Sequence, residues 1–332
     1  MKARRLIRHG IRQIEVEDFE IGVLPEDGLL VENEYTAISV GTELWNWTHG
    51  AEPGHTVQFP QTTGYCNAGR VLEIGKGVTD VSPGDRVAGH SHHASHTIMR
   101  GLYHKVPEGT SSKAASLLTM SAIAMHGIRV AKIELGEAVV VLGLGLVGQF
   151  SLSLAGLGGG MPVIGIDLNG FRLERAKARG ADACINPSHG SDVREAVREL
   201  CFEDGANVVL ECTGKPTVYP MAIKLPCFAG RLVAVGSPRG TVEFNFLSEV
   251  HLREVSILGA IHPRTPEQKH AYFWWTKNRE RTLLLRLMAN GRLPAEDLIT
   301  HIEKPADCLN VYNMLADNPQ QALGVLFEWR AT

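Results

Sequence analysis

Hydrophobic and polar positions change rhythm twice along the chain. Over roughly the first 120 positions, short apolar runs alternate with turn residues. Leu29-Leu-Val-Glu-Asn-Glu-Tyr-Thr-Ala-Ile and Gly69-Arg-Val-Leu-Glu-Ile-Gly read as strands, and Asp85-Arg-Val-Ala-Gly follows the turn Ser82-Pro83-Gly84. Turns at such short intervals predict a small β-barrel or sandwich. Residues 114–130 are Ala-rich and apolar, with the length of one buried helix. From Ala138 the rhythm alternates. Strands are predicted at 138–142, 163–167, 208–211, 231–236 and 255–260, and helices at 148–155, 171–179 and 193–203. Such alternation means βαβ units and a parallel sheet covered by helices, an α/β architecture. The tail carries helical stretches and a final apolar strand, 323–327. Because the alternating stretch is flanked on both sides, the tail is expected to return to the first domain. The expected division is 1–121, 122–262 and 263–332.

Charge and cysteine usage narrow the classes. Formal net charge is −3, with 33 basic against 36 acidic residues and no block of like charge. That argues against a nucleic-acid footprint and against a polybasic membrane anchor. The longest apolar run, 138–148, is glycine-broken and far short of the roughly 20 residues of a membrane span. The first residues are basic but lack the apolar stretch of a secretory signal. Six cysteines are scattered without a CxxC, so a reducing cytoplasm is the expected location.

Gly143-Leu-Gly-Leu-Val-Gly148 carries the first chemistry. The glycine pattern follows an apolar strand and opens a helix, which is the context dinucleotide binding requires. Gly143 permits the turn, Gly145 lets backbone approach a pyrophosphate, and Gly148 lets helix and strand pack closely. The N–H groups of Leu146, Val147 and Gly148 would face the anion. Asp167 ends the second strand, 24 residues after Gly143. Its carboxylate would accept from ribose hydroxyls and repel a 2′-phosphate, favouring NAD over NADP. Arg172 and Arg175 follow closely, and the alternative role for Asp167 is a helix cap.

The ordered motifs resemble the medium-chain dehydrogenase/reductase superfamily. Gly41-Thr42-Glu43, Gly64-Tyr65, Pro83-Gly84-Asp85-Arg86-Val87 and Lys105-Val-Pro-Glu-Gly109 are similar to its GroES-like domain. Residues 142–148, 172–182, Glu211-Cys212-Thr213-Gly214 and Gly230-Arg-Leu-Val-Ala-Val-Gly236 resemble its nucleotide domain. The resemblance implies a GroES-like β-barrel catalytic domain, a Rossmann domain and a returning tail. It also implies an active site in the cleft between domains, cofactor contacts at Cys212, Thr213 and Gly236, and a homodimer or homotetramer pairing through the edge strand near 255–260.

Departures from the family pattern bear on the metal. Zinc-dependent members hold the catalytic ion with a Cys before the Gly-Thr-Asp motif, a Gly-His-Glu and a third ligand further on. Here those positions read Val40, Gly64-Tyr65-Cys66 and Thr119, and the four-cysteine structural-zinc loop is missing. Valine cannot ligate zinc, and Tyr and Thr rarely do, so no zinc is expected. Something else must manage the substrate proton and the developing alkoxide. Thr42 matches the family's proton-relaying hydroxyl, Tyr65 could place a phenol at the metal's position, and Glu43 stands at an orienting acid.

His90-Ser-His92-His93-Ala-Ser-His96 adds imidazoles. On a strand, His90, His92 and His96 would share one face and His93 the other. The resemblance sets this segment at the cleft with His92 near substrate, and His90 and His93 are expected to line the site; one of His90, His92 and His93 would serve as acid or base, with surface decoration and a transition-metal site as the alternatives. Trp45, Trp47 and His49 follow Gly-Thr-Glu, where the family lines its pocket, and could stack on a sugar or ring; core packing is the alternative.

The expected reaction is NAD-dependent oxidation of a secondary alcohol, a polyol, sugar or hydroxylated ring, without zinc. Gly-Thr-Glu-Leu-Trp looks like a branch that includes sugar-linked and bacteriochlorophyllide-type dehydrogenases. The competing readings are an NAD(P)H-dependent quinone or enoyl-type double-bond reductase and a catalytically inactive nucleotide-binding protein. No nucleic-acid or membrane partner is expected.

Overall fold

A computed structural model describes residues 1–330 other than 52, 53, 55, 191, 203, 270 and 272, with backbone alone at 189. The chain divides into two compact units, one of residues 1–120 with 267–332 and one of residues 121–266.

In the second unit, six strands form one parallel sheet. Numbered by their appearance in the chain, they stand in the order 3-2-1-4-5-6, namely Ala183–Ile185, Val163–Ile166, Val139–Leu142, Ala206–Glu211, Pro226–Ala234 and Ser256–Gly259. Every residue of Val139–Leu142 and of Val163–Ile166 is buried. A parallel sheet covered on both faces selects such uninterrupted apolar runs, each buried Val or Ile contributing roughly 1.5–3 kcal/mol. Strand order reverses beside Val139–Leu142, and ligands of such sheets bind where the strands' carboxyl ends open at that reversal.

In the first unit, Ile299–Glu303, Gly324–Glu328, Gly28–Ala37, Asn67–Ile74, Arg86–Gly89 and Tyr103–Lys105 lie side by side, and His96–Arg100 also pairs with Gly28–Ala37. A second sheet joins Gln13–Glu20, Lys2–Gly10 and Gln61–Thr62. The tail strand Gly324–Glu328 is antiparallel to Gly28–Ala37, with Leu326 opposite Ala37. Helix Cys308–Asp317 buries Cys308, Val311, Tyr312 and Leu315, the three-and-four spacing of a single helical face. That face packs with Trp47 of helix Val40–His49, the Trp47 and Tyr312 rings being 5.3 Å apart.

Three local expectations are corrected. Residues 114–130 are not one helix: Ser112–Ser116 and Leu118–Ala131 are separated at Leu117, where Ser116 Oγ donates back to the Lys113 carbonyl at 2.7 Å. The 90–96 run is not one strand, because Arg86–Gly89 ends before it and His96–Arg100 starts only at its close. Its backbone instead bonds across the unit, with Leu6 N–H donating to the His93 carbonyl and His93 N–H to the Thr63 carbonyl, both at 2.8 Å. The segment after Ser39, expected to turn Trp47 to a pocket, is the helix Val40–His49, which buries that side chain.

Candidate active site

The glycine-rich turn of the second unit is built by backbone. Gly143 has φ +85°, and a Cβ there would sit 2.6 Å from Thr213 Cγ2. A Cβ at Gly148 would meet the Gly143 carbonyl oxygen at 1.9 Å, so only glycine fits. Above Gly145, by contrast, a Cβ would meet nothing within 4 Å, an open face for a ligand's phosphates. Helix Leu146–Leu157 starts there with Gly145 as its cap, two residues earlier than the sequence reading. The N–H groups of Leu146, Val147 and Gly148 therefore have no intrahelical acceptor.

Asp167 accepts hydrogen bonds from two turns of the backbone. Its Oδ2 accepts from Leu144 N–H at 2.7 Å and its Oδ1 from Asn169 N–H at 2.9 Å, tying the glycine turn to the end of the second strand. The capping role belongs to Asn169, whose side chain accepts from Arg172 N–H. Arg172 Nη1 lies 3.8 Å from Asp167, and the Arg172 carbonyl accepts from Gln149 Nε2 at 2.8 Å. At the fourth strand's end, the buried Glu211 carboxylate accepts from Thr213 N–H and hydroxyl and from Gly214 N–H. Burial pushes that carboxyl's pKa up. Cys212 lies between, its Sγ 3.7 Å from Ser151 Oγ. A Cβ at Gly236 would strike Gly214 N at 2.4 Å, so these two turns meet through backbone.

In the first unit the candidates separate into two groups. Glu43 and His93 belong to a buried network. Glu43 accepts from Ser39 N–H at 2.7 Å, Thr63 Oγ1 at 3.0 Å, His93 Nε2 at 3.0 Å and the Tyr312 hydroxyl. His93 is fully buried, and its Nδ1 meets Thr36 Oγ1 at 2.7 Å, which also accepts from Trp329 Nε1. Burial alone would push the Glu43 carboxyl up; His93, Tyr312 and Ser39 N–H outweigh it and hold it below its ordinary pKa. With both oxygens engaged, Glu43 braces the helix start, and His93 orients Glu43 instead of lining a pocket. Gly64 belongs here too: at φ +90°, any Cβ would sit 2.5 Å from the His93 ring.

Tyr65 and its neighbours form the other group. The half-buried Tyr65 hydroxyl donates to Ser39 Oγ, with Thr42 also in hydrogen-bonding contact. Burial pushes the phenol's pKa up, so it keeps its proton. The His90 ring stacks on Tyr65 at 5.8 Å, and exposed His92 holds the Gly64 carbonyl with Nδ1 at 3.0 Å. His96 turns to Ser95 Oγ. Trp45 and His49 stack at 3.8 Å and 5°, with Trp45 Nε1 donating to the Ala51 carbonyl. Trp47 is a correction: it is fully buried in the core and cannot touch a substrate. Its position seven residues after Val40 points it along the helix's apolar face.

Sequence reasoning missed Ser39, Thr63 and Tyr312. Ser39 and Glu43 stand four apart, one more than the capping-box spacing, so no local pattern marked Ser39. Tyr312 lies 269 positions from Glu43, and only the returning tail reveals it.

Two family descriptions match the chain, "Alcohol dehydrogenase GroES-like domain" over residues 25–141 and "Zinc-binding dehydrogenase" over 147–275. D-guloside 3-dehydrogenase of Escherichia coli is 32% identical over 267 residues, covering 78% of this chain and 75% of that protein. The chain belongs to the medium-chain dehydrogenase/reductase superfamily. As a member, it is an NAD(P)-dependent oxidoreductase acting on CH–OH groups, with a Rossmann nucleotide domain and a GroES-like domain. Sorbitol dehydrogenase of Halalkalibacterium halodurans is 26% identical over 335 residues, covering 91% of this chain and 92% of that one. In fold, the superfamily member superposes on 2R,3R-butanediol dehydrogenase of Bacillus subtilis with a TM-score of 0.84 at 21% identity, covering 98% and 99% of the two chains.

The family implies zinc, and the donor set here does not fit it. Val40 packs its apolar side chain against the core, and Thr119 Oγ1 donates to the Gly89 carbonyl at 3.3 Å. Tyr65 is a protonated phenol, and burial pushes the Cys66 thiol's pKa up, away from the thiolate a metal takes. Among the described residues, no group of three or more His, Cys, Asp or Glu side chains is placed to hold a metal ion. Nor, among them, is any helix long and apolar enough to cross a membrane.

Proposed function

We propose that this dehydrogenase oxidises a secondary alcohol of a sugar or polyol to the ketone, using NAD and no catalytic zinc. The observation that carries the reading is the protonated Tyr65 hydroxyl, at a family metal-ligand position, bonded to Ser39 Oγ beside Thr42. Bound NAD would supply the hydride acceptor, held by the Gly143–Gly148 turn, the N–H groups of Leu146 and Val147, Asp167, and the Cys212–Thr213 and Gly236 turns. Asp167, tied into the glycine turn, favours the free 2′-hydroxyl of NAD over a 2′-phosphate. Arg172 stands beside it, its Nη1 3.8 Å from the carboxylate.

Oxidation removes two electrons and a proton from carbon and one proton from oxygen. Tyr65 donates a hydrogen bond to the substrate oxygen as negative charge develops there, the task of a preorganised neutral donor. Thr42 takes the hydroxyl proton as it gives up its own, and His92 or His90 accepts the proton released; the single Tyr65 proton turns from Ser39 Oγ to the substrate oxygen and takes no part in that relay. Trp45 and His49 offer a stacked pair on the same helix as Thr42. The names of the relatives, a guloside dehydrogenase and a sorbitol dehydrogenase, support a polyhydroxylated substrate.

The test is a panel of polyols and glycosides with NAD or NADP, on protein of measured zinc content. NAD-linked ketone formation that survives a strong chelator is expected. Activity abolished by chelation and restored by zinc, or NADPH-linked reduction of an activated C=C bond instead, would overturn the reading.

A further inference from the structure

The GroES-like unit carries a second polar concavity with no part in the chemistry above. A cavity of about 350 Å³ is lined by Arg70, Arg86, Lys113 and Arg330, against only two carboxylates, Glu34 and Glu296, with Ser111 and Ser112 at its rim. Four cations meeting two anions stand out in a chain whose net charge is −3.

The sheet forces the basic groups together. Arg70 and Arg86 are directly opposite each other on antiparallel neighbours, a like-charge pairing that costs stability unless something offsets it. Each guanidinium is pinned at one end by backbone: Arg70 Nη1 donates to the Gly84 carbonyl at 3.1 Å and Arg86 Nη1 to the Thr110 carbonyl at 2.7 Å. Glu34 is shared between Arg70 and Arg330. Among the described residues, Arg86 and Lys113 are in no ion pair; Lys113 lies over the Tyr35 ring at 5.7 Å. Fixed guanidinium forks beside a mobile ammonium match a tetrahedral dianion, which accepts several charge-assisted hydrogen bonds at once. Pre-fixed donors also lose little freedom on binding.

We propose that this cavity binds a small dianion of the phosphate-ester class, with Arg86 and Lys113 as its principal donors. The proposal does not depend on the reaction assigned above.

Calorimetric titration with inorganic phosphate tests it, on full-length protein saturated with NADH so that the cofactor's own phosphate cradle is filled. The control titrates sodium chloride at matched ionic strength. One site per chain with a Kd near or below about 1 mM is expected. Lys113→Glu, a change at a half-buried lining residue, should weaken it by about tenfold or more. Arg86→Gln is the second variant, with circular dichroism as the check on folding. No heat beyond the salt control, equal affinity in wild type and folded Lys113→Glu protein, or binding that vanishes when NADH is added would each overturn the proposal.

Discussion

The two units solve recognition in opposite ways. In the nucleotide unit, the site is made of backbone: a glycine turn, a helix start, and two turns so close that Cβ atoms at Gly148 and Gly236 would collide with main chain. Asp167 and Glu211 hold those turns by accepting from N–H groups a few residues away or on the adjacent strand. In the GroES-like unit, the site is made of side chains contributed by remote segments. Ser39, Thr63, Tyr65, His93 and Tyr312 converge on one helix start through their hydroxyl, imidazole and amide groups. A backbone site has little tolerance for added atoms but keeps its chemistry whatever the neighbours are. A side-chain site can exchange its chemistry one residue at a time, and here Val40, Tyr65 and Thr119 stand where a metal's ligands would be.

That contrast can be broken most sharply at Gly148. Gly148→Ala must push the Gly143 carbonyl aside by more than an ångström, with backbone on both sides of the clash. NADH binding, followed by energy transfer from tryptophan, should fall by about 100-fold or more, some 3 kcal/mol. An unchanged affinity would show that the turn yields like a side-chain site. Tyr65→Phe is the counterpart. It removes one donor and no volume to speak of, so NADH affinity should be unchanged while kcat falls by about 100-fold. A rise in KM alone with kcat intact would remove Tyr65 from the chemistry.

A smaller effect concerns acid. Burial lowers the His104 imidazole from 6.5 to about 4. Between those values the unfolded chain binds a proton that the folded chain refuses, so stability is full above about pH 6.5 and falls as the pH drops towards 4. The loss is on the order of 2–3 kcal/mol. His104→Phe should flatten this part of the stability curve, measured by urea unfolding at a series of pH values. An identical slope in the variant would place the acid sensitivity elsewhere.

The same contrast governs what could be read from sequence. The nucleotide unit was legible because its signals are local: apolar runs for buried parallel strands, glycines at fixed spacing, an acid at the next strand's end. In the other unit, the motifs mark Tyr65 and Thr42 as candidates, but the fates of Trp47 and His93 were not legible. An aromatic beside a functional motif looks the same in a core as in a pocket, and helix Cys308–Asp317 decides between them. Alternation across 90–96 assumed a strand, whereas bonds from Leu6 and to Thr63 set that backbone. Asp167, expected to meet a ribose or to cap a helix, accepts from the N–H groups of Leu144 and Asn169. Long-range hydrogen bonds leave no periodicity behind.

The bond from Tyr312 to Glu43 also bears on synthesis. A ribosome adding about 5–20 residues per second releases the whole of 121–266 while residues 267–332 are still to come, a delay of roughly 3–13 s. During that interval the nucleotide unit has every residue it needs. The buried Glu43 carboxylate, lacking its tyrosine partner and the strand Gly324–Glu328, does not. Nascent chains should therefore gain a cofactor-sized fold before they gain a catalytic one, and stalled chains ending near residue 290 should be acid-bearing, half-built barrels that call for a chaperone.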